Sequence, residues 1–265
     1  MRAADAADRD LLIEAALEAG RLARRLATRD LEVRDKGAGQ GPVTRADLAV
    51  DAMLRETLTA ARPGYAWLSE ETPDTPARLT ADRVFVVDPI DGTRSFIAGE
   101  PTWAHALAVV EAGVPVAAAI HLPMKDRLYA AALGAGATRD GWPIAPSDRT
   151  ELEGAEVLAT KPNFRDEHWS GGAPPVARRF VSSLAFRLAL AAEGRFDAML
   201  TLRDAWEWDV AAGVLLVTEA GGRATTRGGA ALRFNNPHPK VAGVIAGGAA
   251  VHAALASRLA ASARA

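Results

Sequence analysis

The sequence predicts a mixed protein, an α+β part followed by an α/β part, and three observations carry that expectation. Two stretches before residue 65 repeat apolar residues at helical spacing. Residues 103–132 read as an antiparallel meander. From residue 157 onward strands and helices alternate, with no internal repeat and no low-complexity tract.

The elements follow in order. Ala6 to Ala27 carries Leu11, Leu12, Ala15, Leu22 and Leu26 on one helical face, with Arg and Glu between them. Asp35 to Pro42 is a Gly-rich loop. A second helix starts near Thr44 or Ala46 and runs to about Arg62, where Pro63-Gly64 stops it. Ala66 to Ser69 is a short strand delivering Glu70 and Glu71 into a polar loop. Val84 to Val87 is a β-branched, apolar strand expected to end at Asp88-Pro89, since proline cannot donate to a ladder. Trp103 to Val110 and Val114 to His121 flank Glu111-Ala112-Gly113 as a hairpin, and Arg127 to Ala132 adds a third strand. Gly134 to Pro146 is turn-rich and reads as a seam, dividing the chain into 1–140 and 141–265. Beyond it come a strand at Val157 to Thr160, a Gly/Pro loop at Ser170 to Pro175 and a helix at Ser183 to Glu193. A strand at Phe196 to Leu202 and a helix at Val210 to Ala220 follow, the latter closed by Gly221-Gly222. Val241 to Ala246 and Ala249 to Ala261 finish as strand and helix.

Composition narrows the function classes. At 265 residues and 49% hydrophobic, the chain can bury a large core. Lys+Arg of 31 against Asp+Glu of 33 leaves a formal charge of −2, with no basic run to mark a nucleic-acid surface. The absence of cysteine excludes disulfides, thiol catalysis and zinc–thiolate sites. The first ten residues are polar and acidic, unlike a signal peptide, and no apolar run is long enough to span a bilayer. A cytoplasmic protein with no membrane and no nucleic-acid partner is expected.

The most informative stretch is Asp88-Pro89-Ile90-Asp91-Gly92-Thr93. Carboxylates three residues apart at the carboxyl end of a strand can converge on one hard cation. Gly92 lets an anion approach the backbone, and a helix start supplies free N–H groups for it. Three more acids sit where a strand ends or a helix begins: Asp47 one turn into the second helix, Glu70 after its strand, and Asp209 at the start of a late helix. Each has a plain structural explanation alone, as a solvated helix face, a charged loop or a dipole-favoured first-turn acid. Their shared placement points instead to one site, as in α/β folds generally.

Pro42-Val43-Thr44-x-Ala46-Asp47, Ser69-Glu70-Glu71, Asp88-Pro89-Ile90-Asp91-Gly92-Thr93 and Trp208-Asp209-x-Ala211-Ala212-Gly213 together resemble the inositol monophosphatase superfamily of Mg²⁺-dependent, lithium-sensitive phosphatases. The likeness spans roughly residues 6–250. It implies a five-layered α-β-α-β-α sandwich. It also implies two or three Mg²⁺ ions: one held by Glu70, Asp88 and the Ile90 carbonyl, one by Asp88, Asp91 and Asp209, and a weaker one through Glu70. Thr93, hydrogen-bonded to Asp47, would orient the attacking water, and the N–H groups of Gly92 and Thr93 would take the phosphate. The superfamily is often dimeric, so a homodimer is expected on resemblance alone. Electrostatics agrees, because four carboxylates in one cleft repel unless cations neutralise them. Two ions roughly 3.5–4 Å apart suit an in-line phosphoryl displacement. The five histidines lie outside the motifs and are expected on the surface or in loops.

The substrate expected is a small phosphorylated metabolite, with selection by the second half of the chain. Inositol monophosphatases carry a glutamate a few residues before Trp-Asp, whereas here the stretch reads Thr201-Leu202-Arg203-Asp204-Ala205-Trp206. Glu207-Trp208-Asp209 and the Ser183 to Gly194 segment, with Arg187, resemble bacterial 3'(2'),5'-bisphosphate nucleotidases. Adenosine 3'(2'),5'-bisphosphate is thus the first expectation, with Asp91, Gly92, Thr93, Ser183, Arg187 and Asp209 as substrate contacts. An inositol-1-phosphate phosphatase is the alternative. The Asp91 to Trp103 segment resembles histidinol-phosphate phosphatases. Two other classes remain: a non-catalytic metal- or phosphate-binding regulator, and a glycoside hydrolase, which 6% aromatic residues disfavours.

Overall fold

The computed structural model describes residues 2–27, 31–37 and 41–261. The centre of the Asp35 to Pro42 loop lies outside the described residues. The chain runs α1 (Ala3–Ala27), β1 (Arg34–Asp35), β2 (Pro42–Val43), α2 (Arg45–Ala61), β3 (Ala66–Ser69), β4 (Arg83–Asp91) and α3 (Thr93–Ile97). Next come β5 (Ala104–Glu111), β6 (Val114–Leu122), β7 (Arg127–Ala132), β8 (Ala137–Arg139) and β9 (Trp142–Pro143). The second half contains β10 (Glu156–Leu158), β11 (Ala177–Arg179), α4 (Leu184–Ala192), β12 (Ala198–Thr201), β13 (Ala205–Trp206) and α5 (Glu207–Glu219). It ends with β14 (Arg223–Thr225), β15 (Lys240–Val241), β16 (Val244–Gly247) and α6 (Ala249–Arg258).

Two mixed sheets and three helical layers result. The seven-stranded sheet has the order β3-β4-β5-β6-β7-β8-β9, antiparallel apart from the β3/β4 pair. The five-stranded sheet has the order β11-β10-β12-β16-β14. Helices α1 and α2 cover one face of the larger sheet, α4 and α5 lie between the sheets, and α6 packs outside the smaller one. This is the α-β-α-β-α sandwich expected.

Side-chain alternation builds the layers. Along β4, Phe85 and Val87 join Leu12, Val50 and Leu54 in the core under α1 and α2, while Val84 and Val86 join the core with α4 and α5. Along β12, Met199 faces the central helices, and Ala198 and Leu200 face α6. Between the sheets, α4 and α5 touch so closely that a Cβ on Gly213 would stand 2.4 Å from Leu188 Cβ. At the far end, Arg83 ties the starts of β4 and α1 together through Asp5 and Asp8.

The structure departs from the sequence expectations in four places. β4 continues through Pro89 to Asp91, because the proline sits in a bulge where no ladder donor is required. α5 begins at Glu207, a turn earlier than the apolar pattern suggested. The turn-rich 134–146 segment contains β8 and β9, which extend the larger sheet. The 241–246 strand divides into β15 and β16 at Gly243, which has φ +65°.

Gly213→Ala should lower the urea midpoint, at a cost of about 1–3 kcal/mol for overpacking. An unchanged midpoint in equilibrium denaturation would show that α4 can retreat from α5 without penalty.

Candidate active site

The site starts from a pairing irregularity. Asp88 pairs with Ala106 and Asp91 with Ala104, so Pro89 and Ile90 together face the single residue His105. In a regular strand, residues three apart point to opposite faces. The extra residue restores a common side for Asp88 and Asp91, as bulges beside active sites do. Asp209, in the first turn of α5, completes the group, and one oxygen from each of Asp88, Asp91 and Asp209 lies within 4.8 Å of the others.

These carboxylates face one another largely out of water. Asp91 Oδ2 accepts from the Ser183 hydroxyl at 2.6 Å and from the Ala185 N–H at 2.6 Å, which docks the start of α4 onto the cluster. Asp88 Oδ1 is buried with no hydrogen-bond partner among the described residues. Burial, then the charges of Glu70, Asp91 and Asp209, pushes the Asp88 carboxyl well above its ordinary range. Burial and then Asp91 do the same to Asp209. Burial lifts Asp91 to about 6, with the Ser183 hydroxyl opposing the rise. An ionised carboxylate only accepts hydrogen bonds, so an orphaned buried oxygen among like charges fits a hard divalent cation.

Glu70 approaches from the end of β3 but stays outside the tight cluster, paired with Lys36 Nζ at 2.7 Å. The same ammonium reaches Glu71, whose carboxyl burial raises to about 7. The turn carrying Glu70 is fastened by Asp51, which accepts from the Ser69 and Thr72 hydroxyls. Neither Lys36 nor Asp51 was singled out from the sequence. Asp51 did carry a signal, being four residues beyond Asp47 on one face of α2.

Asp47 is buried at the N3 position of α2 in a capping box. Its Oδ2 accepts from the Thr44 N–H at 2.8 Å, and the Thr44 hydroxyl accepts from Ala46 and Asp47 N–H groups. Thr93 Oγ1 lies 3.2 Å from both Asp47 Oδ1 and the Ile90 carbonyl, and its one proton can serve either. Burial raises the Asp47 carboxyl, with the Thr44 donors opposing. Gly92 starts α3 with φ +100°, and a Cβ there would lie 3.3 Å from the Thr102 carbonyl.

A cavity of about 900 Å³ opens here, with Glu70, Gly92 and Thr93 on one wall and Phe180, Arg187, Leu202 and Arg203 on others. Its size suits a small metabolite. Arg187 lines this cavity and gives two of its five N–H donors to the protein. Its guanidinium donates to the carbonyls of Val181 and Ser182 and lies 4.6 Å from the Phe180 ring centroid. Burial lowers it to about 10. Ser183 faces Asp91 and caps Phe186 N–H at 2.9 Å; the serine lining the cavity is Ser182. Glu207 is fully buried and accepts from the backbone N–H groups of Asn235 and Asn236, away from the cavity. It is therefore a structural anchor. The expectation for the histidines is corrected too, since His105, His121 and His252 are buried in the sheet and helix layers.

Fold and site define a hydrolase-type centre, in which facing carboxylates that can hold a divalent metal meet a metabolite-sized cavity. The chain belongs to the inositol monophosphatase family, whose sequence profile matches residues 6–265. It is accordingly a phosphatase. An inositol-1-monophosphatase of Rhizobium meliloti is 33% identical over 228 residues, covering 82% of this chain and 84% of the relative. A histidinol-phosphatase of Mycobacterium tuberculosis is 35% identical over 237 residues, covering 84% and 89%. The crystal structure of extragenic suppressor protein suhB from Bartonella henselae superposes with a TM-score of 0.82 at 29% identity, covering 95% of this chain and 97% of that one. Among the described residues no helix is long and apolar enough to cross a membrane.

The raised carboxyls give the metal a pH signature. A carboxyl whose folded value exceeds its ordinary 3.8 binds more protons folded than unfolded, so metal-free stability falls as pH rises from about 4 through about 6 for Asp91. Metal binding needs those protons gone. The rise in Tm on adding Mg²⁺ should therefore be small near about pH 5 and large near about pH 8, and equal shifts would contradict the cluster's role.

Proposed function

We propose that this chain hydrolyses the phosphate monoester of a small metabolite, with water as nucleophile at a Mg²⁺ centre. The observation that carries the reading is the buried Asp88 oxygen left without a donor among facing carboxylates. Asp88, Asp91, Asp209, Glu70 and the Ile90 carbonyl would hold the two or three Mg²⁺ ions. All are hard oxygen donors, which suits Mg²⁺. When bound, Mg²⁺ supplies charge neutralisation for the phosphate and acidifies water.

The remaining work belongs to the side chains. With its proton on Asp47, the Thr93 hydroxyl keeps its lone pairs for the nucleophilic water and fixes that water's orientation. Thr44 holds Asp47 in place for this. The N–H groups at the start of α3 would receive the phosphate oxygens, since a helix start leaves donors without intrahelical partners. Glu70, released from Lys36 by a competing cation, would turn its carboxylate to the cluster.

Inositol 1-phosphate is the first ester of this reading, supported by the inositol-1-monophosphatase relatives. Histidinol phosphate is the second, supported by the histidinol-phosphatase relative and by Leu202. This apolar side chain lies in the stretch where inositol monophosphatases carry a glutamate for ring hydroxyls. The adenosine 3'(2'),5'-bisphosphate expectation loses one support, because Glu207 is an internal anchor, while Arg187 lines the cavity with two of its five N–H donors on carbonyls.

Phosphate release from these three esters should depend on Mg²⁺, stop with EDTA, and favour inositol 1-phosphate over the bisphosphate. Asp88→Asn should abolish turnover with an unchanged circular-dichroism spectrum. Turnover that survives EDTA would sink the metal reading, and Mg²⁺ binding without any turnover would make the chain a regulator. Arg187→Ala should lower kcat/KM by a similar factor on all three esters, because it frees the 180–182 loop. A loss confined to the bisphosphate would restore the nucleotide reading.

A further inference from the structure

His105 is fully buried, lies opposite the bulge that carries two of the cluster's carboxylates, and has no part in the chemistry above. We propose that His105 is the positioning residue of this bulge: its Nδ1–H holds the Pro89 carbonyl and so fixes the spacing of Asp88 and Asp91 for a divalent cation. Neither Pro89 nor Ile90 has a partner in the β4/β5 ladder. The Pro89 carbonyl, which can only accept, takes its hydrogen bond from the imidazole instead. The peptide that follows ends in the Ile90 carbonyl, 3.2 Å from Thr93 Oγ1, so holding Pro89 steadies the whole turn between the two carboxylates.

The ring's surroundings argue against a packing role alone. If Nδ1 carries the proton, Nε2 is left as an acceptor, and it is buried without a partner among the described residues. Leu107 and Val109 share that face of β5 and Phe96 of α3 joins the same core, so the surroundings are apolar apart from the cross-strand His121. An apolar side chain would fill the space without leaving a polar atom unsatisfied, so the histidine is explained by the bond it makes on its other nitrogen. The ring is also held from below. Trp103 meets it edge-on at 5.5 Å, His121 lies 6.0 Å away, and His121 Nδ1 bonds the Ala16 carbonyl of α1 at 2.9 Å. A column of rings thus braces the bulge against the outer helix.

The inference rests on reading the cluster as a metal site, and Mn²⁺ titration of the metal-free full chain by calorimetry separates the two claims. His105→Leu should weaken Mn²⁺ binding by about 10–100-fold, the usual scale for residues that orient metal ligands. His105→Asn, whose amide N–H stands near the Nδ1 position, should recover most of that loss, and KM at saturating metal should stay unchanged in both. Wild-type affinity in His105→Leu, or no recovery in His105→Asn, overturns the role of His105. A wild type that takes up no Mn²⁺ overturns the metal reading itself. Should His105→Leu not fold, nitrogen-15 NMR of the wild type decides: the proton must sit on Nδ1 and its resonance must move when Mg²⁺ is added. A proton on Nε2, or a resonance indifferent to Mg²⁺, overturns the proposal.

Discussion

Everything at this site depends on the mutual repulsion of carboxylates held on one side of a strand. A protein interior does not place Asp88, Asp91 and Asp209 together by default, since burying like charges raises the free energy of the folded state. The cores on both sides of the larger sheet and the docking of α4 onto α5 supply the stability that offsets it. A cation held by these oxygens would neutralise that repulsion.

The bulge in β4 turns this electrostatics into geometry. One extra residue reverses the strand's alternation, places Asp91 beside Asp88 and lets Pro89 sit inside a sheet that would otherwise exclude it. From there the constraint spreads outward. Asp91 seats α4 through Ser183 and Ala185, α4 meets α5 at Gly213, and α5 presents Asp209. The second half of the chain is positioned by the same carboxylate that helps form the cluster. This physical link explains why motifs more than a hundred residues apart describe one centre.

Much of this was legible in the sequence where the signal is local. Helical spacing marked α1 and α2, two apolar runs flanking Glu111-Ala112-Gly113 marked the β5/β6 hairpin, and Asp-Pro-Ile-Asp-Gly-Thr marked the turn with its acids. What escaped depends on partners distant in sequence. The bulge exists only because β5 pairs on both sides of it, and nothing within 88–91 shows that pairing. Lys36 and Asp51 matter through residues 34 and 21 positions away, and His105 alternates like any buried strand residue. Glu207 has suitable chemistry for a substrate, but its oxygens face the Asn235 and Asn236 N–H groups, a contact nearly thirty residues away in sequence. The strands β11, β13 and β14, at two or three residues, are too short to display a period.

The orphaned Asp88 oxygen is the atom on which the metal reading turns. Anomalous diffraction from crystals grown with Mn²⁺ tests it most directly. A peak is expected at coordination distance, about 2.0–2.2 Å, from oxygens of Asp88, Asp91 and Asp209. A water in that place, or Mn²⁺ bound only at surface carboxylates, would contradict it.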